Sequence, residues 1–396
     1  MAGKPLSTAP VSGVRVTIGA ISTTIASVIP VFLLGGLAVQ IGEELGFSPA
    51  GLGAAVAIYF GVSALTSVPA GALVERYGPA VTARAAILLS ASCLLAIALA
   101  ARSFPALVVL LAAGAAANGL GQLASNASLA RVRARRQGLS FGLKQAAIPA
   151  ATLLSGASVP AVALTLGWRW AFALAAVAAL GALPLVPPTG RAPKQVRVAE
   201  AGDRATGALV VVGAAVALGA GSAGSLGTFL VDSAVDRGLA PGLAGLTLTL
   251  GSLACLASRI GGGWLVDWRG ARGDVTTVAV LMLVGAGGLA LLAVPGTPAL
   301  AAGVLLGFGF GWAFPGLVNV AVVQLHPHAP AAATSITQTG VYAGGCAGPI
   351  AFGATAAAYG YPTAWLGSAV ALLLAAGLVL LGRHLLRDHR ARVLAG

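Results

Sequence analysis

Gly71-Ala-Leu-Val-Glu75-Arg76-Tyr77-Gly78 closes one long apolar run, and Gly263-Trp-Leu-Val-Asp267-Trp-Arg269-Gly270 closes another 192 residues later. In each copy the acidic residue stands four places after a glycine and three before the next, a spacing that suits a tight turn packed against a neighbouring helix. One copy would carry little weight; two in register mark an internal duplication. Further pairs extend it: Glu44 with Asp236 and Pro49 with Pro241 at an offset of 192, then Asn126 with Asn319 and Gln145 with Gln338 at 193. A single loop difference accounts for the slip.

With 58% hydrophobic and 8% charged residues and a mean hydropathy of +0.94, the 396-residue chain has too little polar surface to cover a water-soluble globule. Lipid must be the solvent for most of it. Unpaired backbone groups are costly in hydrocarbon, which restricts spanning segments to helices or a closed barrel; long apolar runs without strict alternation choose helices. The runs place spans near 14–40, 50–74, 80–101, 105–129, 138–163 and 167–186, and again near 207–232, 241–267, 274–294, 298–324, 331–357 and 362–383. The expected fold is therefore an all-α membrane protein of twelve transmembrane helices in two six-helix repeats. Residues 1–186 form the first bundle, 187–206 a Pro-rich solvated linker, and 207–396 the second bundle with a short basic tail.

The formal charge of +13 invites a nucleic-acid reading, but the placement of the charges argues for a lipid bilayer instead. Of the 23 basic residues, only Arg102, Arg169 and Arg237 fall in connections on one side, while Lys144 and Arg259 lie within spans. The rest, including Arg131, Arg133, Arg135 and Arg136, the linker cations and the tail, gather on the other side. By the positive-inside rule both termini are expected to be cytoplasmic, in the cell's inner membrane. Cys93, Cys255 and Cys346 fall inside spans and imply neither a disulfide framework nor a metal cluster.

Six plus six helices, with both halves starting on the same side, form parallel repeats about an axis along the membrane normal. The chain resembles transporters of the major facilitator superfamily over nearly its full length. The resemblance rests on Gly71, Leu73, Glu75, Arg76, Gly78 and Arg84 between the second and third spans, with Glu for the family's usual Asp and Pro79 where a basic residue is usual. The second copy keeps Gly263, Leu265, Asp267, Gly270 and Arg272. The resemblance implies that Glu75 and Asp267 help to latch the cytoplasmic ends of the halves in the outward-facing state. The plainer reading makes each a turn or cap carboxylate.

Charges within spans carry the most information about cargo, because each is costly unless it lines water or meets a partner. Arg259 lies eight residues before Asp267, about 12 Å along the eighth span at ~1.5 Å per residue. Its repeat counterpart is Ser67, and that of Lys144 is Thr337, so neither cation belongs to the duplicated scaffold. None of the ten acidic residues is expected in mid-span; Asp232 is placed at the outer end of the seventh. Two opposed cations without a buried carboxylate suit an anion. Against this, Arg259 could support the Asp267 turn and Lys144 could snorkel to the surface. Asn118, Gln122 and Asn126 recur at four-residue intervals along the fourth span, Asn319 continues the pattern on the tenth, and Gln338 and Tyr342 repeat it on the eleventh. With Gln145 they offer a ring of polar groups to a ligand, or bonds between helices.

No nucleophile, base and orienting group come together, and the glycine run 340–349 has no Gly-Lys-Ser/Thr, so neither an enzyme nor a nucleotide or other cofactor is implied. The resemblance implies a secondary transporter working by alternating access. The residues favour a small organic anion such as a monocarboxylate, carried alone, with protons, or with protons through Asp232. The arginine of the eighth span is similar to that of monocarboxylate and oxalate carriers, and Lys144-Gln145 is loosely similar to a cyanate and nitroimidazole subgroup. Ser67 stands where nitrate porters carry a second arginine. One rival is efflux of hydrophobic drugs, which the lack of an arginine near Asn118 and of a buried acid opposes. Another is a non-transporting sensor on the same scaffold, which would show no vectorial flux.

Overall fold

The structure, a computed structural model, describes residues 12–130, 137–188, 206–268, 275–318 and 330–395. The basic cluster 131–136, most of the linker, Gly270, Arg272 and Asn319 lie outside these residues. Helices account for nearly everything described. Their starts follow local chemistry: Ser48 and Ser103 accept the backbone N–H of Gly51 and Ala106, and proline occupies the first turn where its missing N–H costs nothing.

The elements are α1 (Gly13–Gly36), a short α2 (Ala38–Leu45), α3 (Pro49–Tyr77), α4 (Pro79–Ala100), α5 (Phe104–Leu129), α6 (Gln137–Ser158) and α7 (Trp168–Gly181). Then come α8 (Thr206–Asp236), α9 (Pro241–Trp268), α10 (Val275–Leu291), α11 (Thr297–Leu306) and α12 (Pro330–Ala395). Among the described residues ten helices are long and apolar enough to cross a membrane, and Val275–Leu291 is a shorter apolar one. The long α12 counts twice, because Gly360 is non-helical and the chain doubles back there. The rings of Phe352 and Trp365 lie 4.6 Å apart, whereas thirteen residues of straight helix would separate them by about 20 Å. Twelve spans result, as the hydropathy predicts.

Three boundaries differ from expectation. The first span breaks at Leu37, so Glu43 and Glu44 ride on the separate α2. The seventh continues to Asp236, one turn past Asp232, which stays near its outer end and is half-buried. The tenth loosens into a π-turn at Gly307–Gly311, where glycines at alternate positions weaken the regular helix.

The duplication is also written in the backbone. Positive-φ glycines recur as Gly46 and Gly238, and as Gly167 and Gly360, at the two offsets found in the sequence. Large apolar side chains such as Leu65 and Val68 point outward, fully usable against hydrocarbon.

Among the described residues, the two chain halves meet most closely at the membrane face opposite the Glu75 and Asp267 motifs. There a methyl group on Gly35 of α1 would lie 2.6 Å from the Gly227 carbonyl of α8, and one on Gly156 would lie 2.6 Å from the Gly245 carbonyl of α9. Methyls on Gly53 and Gly353 would collide with the carbonyls of Pro349 and Pro49. Backbone-to-backbone contact at three helix pairs seals this far face.

Candidate functional site

The fifth span carries the densest chemistry. Lys144 is 3% exposed, and its Nζ donates to Gln122 Oε1 of α5 at 2.5 Å. A lysine at a helix centre costs roughly 3 kcal/mol on insertion scales; an amide oxygen offsets part of that, while no carboxylate among the described residues is in contact. Gln145, the next residue, packs near Gly316 of the tenth span. Its carbonyl accepts Arg259 Nη1 of α9 at 2.6 Å.

Arg259 is equally buried, at 5% exposure. Nε and Nη2 donate to the Trp312 carbonyl at 3.1 and 2.7 Å, and the guanidinium carbon lies 5.7 Å from the Trp312 ring centre. The arginine therefore joins three spans: the fifth, eighth and tenth. It does not bond to the Asp267 turn through any described group, and Lys144 is buried rather than snorkelling. The two cations are neighbours, because the carbonyl that holds Arg259 belongs to the residue after Lys144.

The remaining sequence candidates divide. Gln122 joins the cationic pair, whereas Asn118 donates to Ser63 Oγ of α3 at 3.1 Å, leaving its own Oδ1 buried and without a partner. Asn126 is half-buried and makes no side-chain hydrogen bond among the described residues. Tyr342 is buried, and Gln338, one turn away on α12, is exposed. They lie beside α3, where Phe60 meets Gly345.

At the motif face, Gly78 adopts φ 86° and separates α3 from α4, a conformation that a side chain strains. Glu75 is exposed and has no hydrogen-bond or ion-pair partner among the described residues. Arg76 stacks on Tyr77, 5.2 Å from its ring centre, and Arg84 donates to the Val186 carbonyl at 2.9 Å. Gly71 meets nothing within 4 Å, but its repeat partner Gly263 is where α9 touches Gly142 of α6. The Asp267 side chain lies outside the described groups.

Sequence reasoning missed Trp312, Trp168 and Tyr361. Trp168 Nε1 and Arg169 bind Glu44 at 2.7 Å, and the Tyr361 hydroxyl donates to Asp232. Each aromatic follows a positive-φ glycine and reaches a carboxylate near the far end of its half's first span, so the offset comparison could have paired them. A groove of 420 Å³ lies apart from all these groups, walled by Ile25, Ile29, Leu33, Leu154, Leu174 and Leu185 of the first, fifth and sixth spans. Its walls are mostly hydrocarbon.

No curated protein matches the chain in sequence. Solved structures share its fold. A bacterial homolog of the human lysosomal transporter Spinster, in an inward-facing and occupied conformation, superposes with TM-score 0.68 at 15% identity, covering 94% of this chain and 96% of that one. The human organic anion transporter MFSD10 gives 0.68 at 16%, covering 94% and 100%. The nucleoside transporter NupG gives 0.67 at 14%, covering 93% and 99%. The family model of the Major Facilitator Superfamily matches residues 18–349. With the twelve spans, the two repeats and the paired turn motifs, that match makes the chain a member of the Major Facilitator Superfamily, a family of multi-pass membrane transporters.

Proposed function

We propose that the protein is a secondary transporter that carries a small organic anion, such as a monocarboxylate, across the cytoplasmic membrane by alternating access. The observation that carries this reading is the pair Lys144 and Arg259, buried on facing spans of the two halves with no carboxylate in contact among the described residues. A buried positive pair of this kind favours a negative ligand, which restores local neutrality and forms charge-assisted hydrogen bonds. Among the described residues Lys144 makes a single hydrogen bond, through one of its three N–H groups, and is the leading contact; Gln122 orients it, Gln145 adjoins it, and Tyr342, Gln338 and Asn126 line the approach. Asn118 serves chiefly to fasten the second and fourth spans.

The distribution of Lys and Arg supports a cytoplasmic motif face. The far face is sealed and Glu75 has no partner among the described residues; these support an inward-facing reading, and we assign the latch of Glu75 and Asp267, with Gly71, Arg76, Gly78, Arg84, Gly263, Gly270 and Arg272, to the opposite, outward-facing form. Proton coupling would use the anion itself or Asp232.

A thermal-shift screen of small carboxylates, followed by counterflow of each hit in proteoliposomes, tests the cargo class. Lys144→Ala and Arg259→Ala are each expected to abolish anion counterflow in protein that still elutes as a folded species. Flux that survives both substitutions would sink the anion site.

A further inference from the structure

A need for positive charge does not explain why Arg259 holds two main-chain carbonyls. Proline explains the first. In an α-helix the carbonyl of residue i accepts the N–H of residue i+4, and Pro149, inside α6, has none. The Gln145 carbonyl is thus left without its helical partner at membrane depth, where water cannot replace it. The same happens at Pro30 in α1: the Ala26 carbonyl is released, and the Ser90 hydroxyl of α4 takes it at 2.5 Å. At Pro149 the donor comes instead from the other half of the chain, as Arg259 Nη1. The second carbonyl, that of Trp312, stands where the tenth span has just left its π-turn.

We propose that Arg259 is a bolt between the halves, aimed by Pro149, and that an anionic carboxylate crosses by competing with the Gln145 and Trp312 carbonyls for this guanidinium. The competition rests on the anion reading above. Three of the five guanidinium donors are committed to neutral carbonyls. Charge-assisted bonds to a carboxylate are roughly twice as strong as neutral ones, so an anion seated beside Lys144 can draw the guanidinium away. Two consequences follow from what Arg259 lets go. At Gln145, α6 loses a tie to α9 close to the point where Gly142 meets Gly263. At Trp312, the carbonyl keeps, among the described residues, only the Cys255 thiol, at 3.7 Å, beneath a ring that packs on Phe32 of α1, 5.9 Å between centres, and against Gly227 of α8. One ligand contact therefore loosens both a fifth-to-eighth span tie and a plug between the first and seventh. Pro149 acts through Arg259 and is a positioning residue.

The test uses the full-length, ligand-free protein in lipid nanodiscs, with Cys93 and Cys346 replaced and the fully buried Cys255, which also bonds the Trp312 carbonyl, kept, and with spin labels at Ala130→Cys and Trp268→Cys. These positions are exposed at the motif-face ends of α5 and α9, one in each half. Pro149→Ala restores the N–H that competes for the Gln145 carbonyl. It is expected to lengthen the mean label distance by about 2 Å or more, the scale of helix shifts at switching interfaces. Arg259→Lys keeps the charge but cannot bridge both carbonyls, and is expected to act in the same direction. The double variant should shift no further than the larger single one, because both remove one bond; a kink that served only to shape α6 would give additive shifts. Wild-type distances in both single variants, or shifts that add in the double, overturn the bolt. Because no ligand is present, failure here is distinguishable from loss of anion flux, which overturns the cargo reading alone.

Discussion

At the scale of single residues, the site depends on how each buried charge is satisfied. Lys144 leans on one amide oxygen, that of Gln122. Removing a partner of a charged group costs about 1.5–3 kcal/mol, so Gln122→Leu is expected to lower the denaturation midpoint of the purified protein. If the lysine awaits an anion, the binding carboxylate should stabilise this variant more than the wild type, and equal stabilisation of both would assign Gln122 a purely structural role. Glu44 offers a pH test away from the site. Its hydrogen bonds with Arg169 first, and with Trp168, hold its carboxyl below the usual carboxylate range. A depressed folded-state value stabilises the protein above the ordinary carboxylate pKa, and that contribution is lost as pH falls through the folded value. The melting-temperature gap between wild type and Glu44→Gln should therefore be open near neutrality and close in acid; a pH-independent gap would show that the ion pair contributes nothing.

At the scale of elements, the ends of most spans were legible because serine caps, N1 prolines and glycines are local signals. Lys144 and Arg259 were legible for a related reason: a charge in an apolar run needs no three-dimensional knowledge to stand out. What the sequence did not disclose was direction. Asn118 and Gln122 sit one turn apart on the same stripe, yet one bonds to α3 and the other to Lys144, and only helix packing decides between them. The break at Leu37 and the π-turn were equally hidden, since apolar periodicity continues through both. Gly167 and Gly360 are testable as paired hinges. Both combine φ near 90° with extended ψ, a region nearly reserved for glycine, where other residues are strained by about 1–3 kcal/mol. Gly360→Ala should destabilise the protein by that amount and detach Tyr361 from Asp232. Gly167→Ala should do the same at Trp168 and Glu44. Chemical denaturation of both variants measures it, and an unchanged midpoint at either would remove that hinge.

At the scale of the whole molecule, the far face is closed by backbone contact, which leaves no room for adjustment by side chains. Gly53 against Pro349, Gly353 against Pro49, and Gly35 against Gly227 bring chain halves together where any side chain would act as a wedge. Packing of this kind is bistable rather than continuously deformable, because a close-packed contact is either made or broken. Gly53→Leu is therefore expected to disfavour the present form and to populate one that is open at the far face. Spin labels at Glu43→Cys and Asp236→Cys, exposed on opposite halves of that face, should report a longer mean distance in the Gly53→Leu protein. If that open form draws the motif face together and engages the Glu75 latch, adding Glu75→Gln should return part of the distribution toward the wild-type distance. A Gly53→Leu protein with wild-type distances would reject rocking about this contact, and a distribution indifferent to Glu75→Gln would leave the wedge standing but remove the carboxylate from the gate.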